Sequence, residues 1–229
     1  VWRLQLLIPP MLQEPGSPTG IRNAAGTLSV GSTVTARISL VDRFFNTVYG
    51  TTTWIGSLSL PNVRLDFSDA NVAARGLVPP SLSLVDGTRL MSFIPATRTG
   101  GALPLQTISA VDNAAVYTSF TVYGLSVNPG PATRMQLLLP DETAAEGSPA
   151  GKAGTVRLLQ AGTGVLATLR ATDDYWNLTA DGRTVALAVS DVYASTQPAI
   201  PLVGGQAALS FTPRTSTAAA LLSVSAVDT

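Results

Sequence analysis

SLVDRFFNTV, residues 39–48, reads as a strand that stops at an acid, two aromatics and an amide, and then resumes. Ahead of the break, Val34, Ala36, Ile38 and Leu40 alternate with Thr35, Arg37 and Ser39, the period of two expected of a strand with one buried face. The break recurs 131 residues later as Asp173-Asp174-Tyr175-Trp176-Asn177, again after an alternating stretch. Asp and Asn at the two ends of a reversal satisfy nearby backbone N–H groups through their own side chains and tolerate left-handed backbone angles. The aromatics between them can cover the end of a sheet, each contributing roughly 1.5–3 kcal/mol on burial. Asp42, Phe44, Phe45 and Asn46, with Asp173, Tyr175, Trp176 and Asn177, are therefore read as one structural turn used twice.

The same displacement carries Arg3-Leu4-Gln5-Leu6-Leu7-Ile8-Pro9 onto Arg134-Met135-Gln136-Leu137-Leu138-Leu139-Pro140, and Gly16-Ser17-Pro18 onto Gly147-Ser148-Pro149. The two copies align without a gap from Arg3 to Ser59. Farther on, SFIP at 92–95 matches SFTP at 210–213, a displacement of 118, which places about 13 extra residues in the first copy, within LPNVRLDFSDANVAARGLVPP at 60–80. SAVD at 109–112 then matches SAVD at 225–228. In the first copy SAVD leads into NAAVYTSFTVYGLSV, a β-rich stretch that the second copy does not have. The second unit is thus expected to lack its last strand, either because the sequence is cut from a longer array or because another chain supplies the strand.

Strands are also expected at Thr53–Leu60, Arg89–Ile94, Leu103–Val111 and Val116–Val122, bounded by Gly, Pro, Asn or Asp. No stretch keeps a helical period beyond about two turns, and TAAAL at 217–221 aligns with the strand before the first SAVD. Gly130-Pro131 cannot continue a ladder. The fold class is therefore all-β: two tandem antiparallel β-sandwiches, at 1–130 and 131–229.

Composition removes many functions. Fourteen basic and fourteen acidic residues cancel and make up 12% of the chain, leaving no electrostatic footprint for nucleic acid or an anionic membrane. With neither cysteine nor histidine, thiolate nucleophiles, Ser-His-Asp catalysis and the commonest metal ligands are excluded within this chain. No apolar run approaches the roughly 20 residues of a membrane helix. No catalytic residue, cofactor or metal is assigned, and the chain is read as not an enzyme.

Alternatives attach to a few positions. Around Asp42, or Asp173 with Asp174, the local sequence offers at most two or three carboxyl or amide groups, without Asp-x-Asp spacing, where calcium takes six to eight oxygens. A glycosidase pair would need a second acid at a matching place in both copies. Asn177-Leu178-Thr179 is a glycosylation sequon, whereas Asn46-Thr47-Val48 is not. Lys152 is the one lysine, so a repeated Lys-Asn isopeptide clamp is excluded. LDFSDANVAARG at 65–76 reads as an exposed loop or a contact surface. Trp2, Trp54 and Trp176 pack in the core or linker, or stack on sugars.

GPATRMQLLLP, AGTGVLATLRATDDYWNLTADG, GGQAALSFTP and SAVD together resemble the tandem bacterial immunoglobulin-like modules of invasin-like surface proteins. One departure is that the usual Gly before the turn Asn is Phe45 or Trp176 here, which makes the corner bulkier. The resemblance implies immunoglobulin-like modules in an extracellular or cell-surface fibre, stalk or adhesin. Partners would be neighbouring modules, a homopolymer, or a surface glycan or protein ligand. The other reading is an accessory, carbohydrate-binding module of a secreted polysaccharide-acting enzyme, which needs exposed aromatics in a row.

Overall fold

The structure, a computed structural model, describes residues 2–49, 60–215 and 222–228. It divides into two compact units, Val1–Asn128 and Pro129–Thr229, two residues ahead of the boundary expected from Gly130-Pro131.

In the first unit Arg3–Leu7 pairs antiparallel with Val34–Val41, with Leu6 opposite Ile38, and Val34–Val41 pairs with Thr88–Phe93, with Ala36 opposite Met91. The second sheet runs in the order Phe120–Leu125, Gln106–Asp112, Asn62–Phe67, Leu82–Ser83. Alternation decides what is buried: Leu4, Leu6, Ile38 and Leu40 from one sheet, and Val63, Leu65, Ile108 and Ala110 from the other, are all nearly inaccessible. The Phe67 and Phe93 rings meet at 5.1 Å between centroids. In the second unit one sheet is Arg134–Leu138, Val165–Thr172, Gln206–Thr212 and Ser195–Thr196. The other is Ile200–Pro201, Thr184–Val189 and Val224–Asp228. Val165, Leu169, Val185, Leu209 and Phe211 form its core. The units are tandem, mainly antiparallel β-sandwiches.

Pairing corrects the placement of the extra residues. Val63 lies opposite Asp112 and Val185 opposite Asp228, so Asn62–Phe67 corresponds to Thr184–Val189, at an offset of 122. NVRLDF is therefore a core strand common to both copies. The ungapped alignment ends before Ser59: nine of the extra residues fall between Asn46 and Asn62, and four between Phe67 and Phe93. Burial overrides the look of an insertion, because Val63 and Leu65 have to meet the opposite sheet. Part of the remaining segment is a short helix, Ala70–Ala74, where only loop is expected. Asp69 caps it by accepting from Asn71 N–H, and Val72 is buried beneath it.

Two strand edges also shift. Gly100 and Leu103 exchange a pair of backbone hydrogen bonds, so the strand expected from Leu103 begins at Gln106. Val116 and Tyr117 donate to the Asp112 carboxylate, so the following strand starts at Phe120. The strand expected at Thr53–Leu60, Trp54 and TAAAL at 217–221 lie outside the described residues, apart from Leu60, which is not in a strand. Among the described residues, no strand pairs with the second side of Val224–Asp228.

Candidate functional site

The two corners are the one polar arrangement present in both copies that the sequence marks out. In the first, Asp42 Oδ1 accepts from the N–H of Phe44 (2.8 Å) and Asn46 (2.9 Å), and Oδ2 from Asn46 Nδ2 (3.0 Å). In the second, Asp173 Oδ1 accepts from the N–H of Tyr175 (2.8 Å) and Asn177 (2.9 Å), and Asn177 Nδ2 reaches both carboxylate oxygens at 3.1 Å. Asp173 Oδ2 also accepts from Gly130 N–H (2.9 Å), tying down the start of its unit. Hydrogen bonding from the Asn46 amide, then from the Asn46 and Phe44 N–H groups, holds the Asp42 carboxyl below its ordinary range.

The bulky residue before the corner Asn has a geometric consequence. Phe45 and Trp176 adopt φ of 64° and 66°, the left-handed region that glycine tolerates best. Their rings repay the strain by packing: Phe45 is buried against Gly20 and Trp176 lies against Gly151, where a Cβ would fall onto the ring in either copy. The Arg3 guanidinium covers Phe45 at 3.9 Å from its centroid, and Arg134 covers Trp176 at 4.9 Å. The repeated glutamines complete the clamp, Gln5 Nε2 donating to Gly20 C=O (2.8 Å) and Gln136 Nε2 to Gly151 C=O (2.9 Å). Gly16 N–H and Gly147 N–H donate to Phe44 C=O and Tyr175 C=O. The R-x-Q-L-L and G-S-P motifs thus recur because they hold the corner.

Phe45→Gly is expected to relieve about 1 kcal/mol of backbone strain and to lose about 2–3 kcal/mol of ring burial. The net loss of about 1–2 kcal/mol would be read from urea unfolding of the first unit. A gain in stability would mean the ring contributes less than the φ angle costs.

Of the two aromatics at each corner, only the second is held this way. Phe44 is half exposed, with Arg43 stacked on it at 4.5 Å. Trp176 is partly covered, and the exposed tyrosines at 49, 123 and 193 come from separate loops and strands and form no stretch of neighbouring sequence. Asn177 is fully buried with its amide nitrogen on Asp173, so the sequon has no accessible acceptor in the folded unit. Asp174 lies apart from the Asp173 cluster, accepting from Thr133 Oγ1 (3.0 Å) and Arg134 Nε (3.1 Å). Among the described residues, no three acidic, His or Cys side chains gather where a metal ion could sit.

A second repeated carboxylate escapes the sequence reading. Asp69 accepts from Asn71 N–H and from Thr97 N–H and Oγ1, and Asp191 accepts from the N–H of Tyr193, Arg214 and Thr215. Each pins the end of one sheet to a loop of the other. Ser68-Asp69 and Ser190-Asp191 are related by the offset of 122, and a search at 131 passes over them.

The N–H groups of Arg214 and Thr215, then Tyr193, lower the Asp191 pKa from 3.8 to about 2. A depressed carboxylate stabilises the fold fully above its ordinary pKa, and that contribution is lost as pH falls through the folded value. Melts of wild type and Asp191→Asn between pH 5 and pH 2 should therefore diverge most at pH 5 and converge toward pH 2. Parallel curves would remove Asp191 from the acid response.

No family model and no curated protein matches the sequence. Among solved structures, the chain is similar to FdeC, an Escherichia coli adhesin, over 98% of its own length and 59% of that chain, at 14% identity and a TM-score of 0.36. It is also similar to a glycosyl hydrolase family 2 member from Bacteroides cellulosilyticus, over 99% of its own length and 29% of that chain, at 11% identity and a TM-score of 0.31. The chain thus spans less than two thirds of either, and scores of this size leave the fold to be argued from strand pairing. What the fold and corners define is a class: tandem antiparallel β-sandwich units whose repeated polar side chains serve their own backbone.

Proposed function

We propose that the chain is a structural pair of modules from an extracellular or cell-surface fibre, stalk or adhesin, acting by spacing and by contacts between modules. The observation that carries this reading is where the repeated polar groups are used. Asp42, Asp69, Asp173, Asp191, Gln5 and Gln136 each hold a backbone N–H or C=O of their own unit. Selection for such anchors is selection for a robust sandwich, which suits a chain whose task is to bear load or set distance. The accessory carbohydrate-binding alternative needs a platform of exposed aromatics, and Phe45, Arg3-covered and buried, does not offer one.

Location is the direct test. Antibodies raised against residues 1–229 should label intact cells of the producing organism, and brief protease treatment of those cells should remove the label. Labelling that appears only after lysis would overturn the surface assignment.

A further inference from the structure

Buried polar atoms in folded chains are almost always satisfied, by protein or by ordered water, so those that meet no protein partner mark candidate sites for something else. Among the described residues, Arg3 Nε, Gln5 Oε1, Ser39 Oγ and Thr172 Oγ1 are buried with no hydrogen-bond partner. Three of the four belong to one patch. Gln5 lies opposite Ser39, and Arg3 opposite Val41, in the antiparallel pairing of Arg3–Leu7 with Val34–Val41, so Arg3, Gln5 and Ser39 share one face of the strand pair. That face looks away from the core filled by Leu4, Leu6, Ile38 and Leu40, yet Gln5 and Ser39 have no accessible surface.

The corner covers them. Gln5 Nε2 donates to Gly20 C=O (2.8 Å), Phe45 packs on Gly20, and the Arg3 guanidinium lies over the Phe45 ring while its Nη2 donates to Arg43 C=O (3.0 Å). The second unit meets the same need with side chains alone. Gln136 Nε2 donates to Gly151 C=O, and its Oε1 accepts from Arg170, which stands opposite it where the first unit has Ser39. Ser39 brings a hydroxyl in place of that guanidinium and makes no hydrogen bond to Gln5. The amide oxygen that Arg170 serves in one copy therefore needs a different donor in the other.

We propose that the first unit binds a buried water molecule here, bridging Gln5 Oε1 and Ser39 Oγ, with Arg3 Nε–H as its third partner. The three groups select this class of ligand. Gln5 Oε1 can only accept, Arg3 Nε can only donate, and the Ser39 hydroxyl does either. The amide oxygen disfavours an anion and the guanidinium disfavours a cation, whereas a small neutral molecule that both donates and accepts satisfies all three. Cross-strand partners hold their Cβ atoms about 4.5–5.5 Å apart, which brings the polar ends of Gln5 and Ser39 within reach of one water. The water does beneath the first corner what the Arg170 guanidinium does beneath the second. The inference stands on the comparison of the two copies and does not need a surface location, so failure of the labelling experiment would leave it standing.

A high-resolution crystal structure of the 1–229 chain tests this directly. One water peak is expected within about 3.2 Å of both Gln5 Oε1 and Ser39 Oγ. In solution, relaxation dispersion of the water oxygen nuclei counts long-lived internal waters. Ser39→Arg combined with Pro15→Glu copies the second unit's arrangement into the first and should expel the water, lowering that count by about one relative to wild type. The wild-type density carries the test if the variant does not fold. A direct hydrogen bond between Gln5 and Ser39, a dry contact filled by a neighbouring side chain, a peak that refines as an ion, or an unchanged count in the folded variant would each overturn the proposal.

Discussion

Arg170→Ala should destabilise the second unit by about 3–5 kcal/mol. Arg170 is 5% exposed; its Nη1 donates to Gln136 Oε1 at 2.7 Å and its Nη2 pairs with Glu146, itself nearly buried. Truncating the guanidinium leaves a carboxylate and an amide oxygen in a site that water barely reaches, and that desolvation is the source of the loss. The first unit shows that the frame does not require the pair. Its counterparts are Ser39 and Pro15, and there Gln5 Oε1 and Ser39 Oγ are buried without a hydrogen-bond partner among the described residues. Arg170→Ser combined with Glu146→Gln should therefore recover most of the loss, as both members of the buried ion pair are then neutral. Guanidinium unfolding, with hydrogen exchange followed separately in peptides from each unit, would measure both. Equal destabilisation by the single and double variants would show that the lost packing of Arg170, rather than the stranded charge, sets the cost.

Asp173→Ala is expected to cost about 3 kcal/mol, and Asp42→Ala only about 1 kcal/mol, although the two residues occupy equivalent places. Asp173 is 2% exposed and is the acceptor for Gly130, Tyr175 and Asn177 N–H and for the Asn177 amide. Without it, those donors are stranded in a site closed to water, and the strand Arg134–Leu138 loses the anchor of the residues before it. Asp42 and Asn46 are more open, so water can take over their donors. Thermal unfolding of the two variants at neutral pH would separate the cases, with the second unit's shift the larger. Comparable shifts would mean that local turn geometry, and not burial, controls the corner's contribution.

Interactions closed within a few residues are those a linear reading can see. The corner is one: Asp42 meets Phe44 and Asn46, two and four positions on, so residue types alone announce the bonds. The alternation at 35–38 is another, because a period of two is itself the statement of which face is buried; it ends at Ser39, which is buried although it lies on the other face. NVRLDF is a case where local reading misled. Its VRL alternation is present, but between flanking prolines and an Asp-rich stretch it passes for a loop until Val63 and Asp112 are seen opposite each other.

By itself, then, the sequence determined the all-β class, the twofold repeat and the turn chemistry of the corners, since these follow from side-chain period and from hydrogen bonds spanning five residues or fewer. Tertiary structure alone decided that Asp69 reaches Thr97 and Asp191 reaches Arg214, that Arg170 is neutralised by Glu146, and that Met135, Leu137 and Val224 border an open groove. Those outcomes depend on which strands lie side by side and what covers them. They join residues more than twenty positions apart, or mark a wall that no strand covers among the described residues, and no local pattern records either.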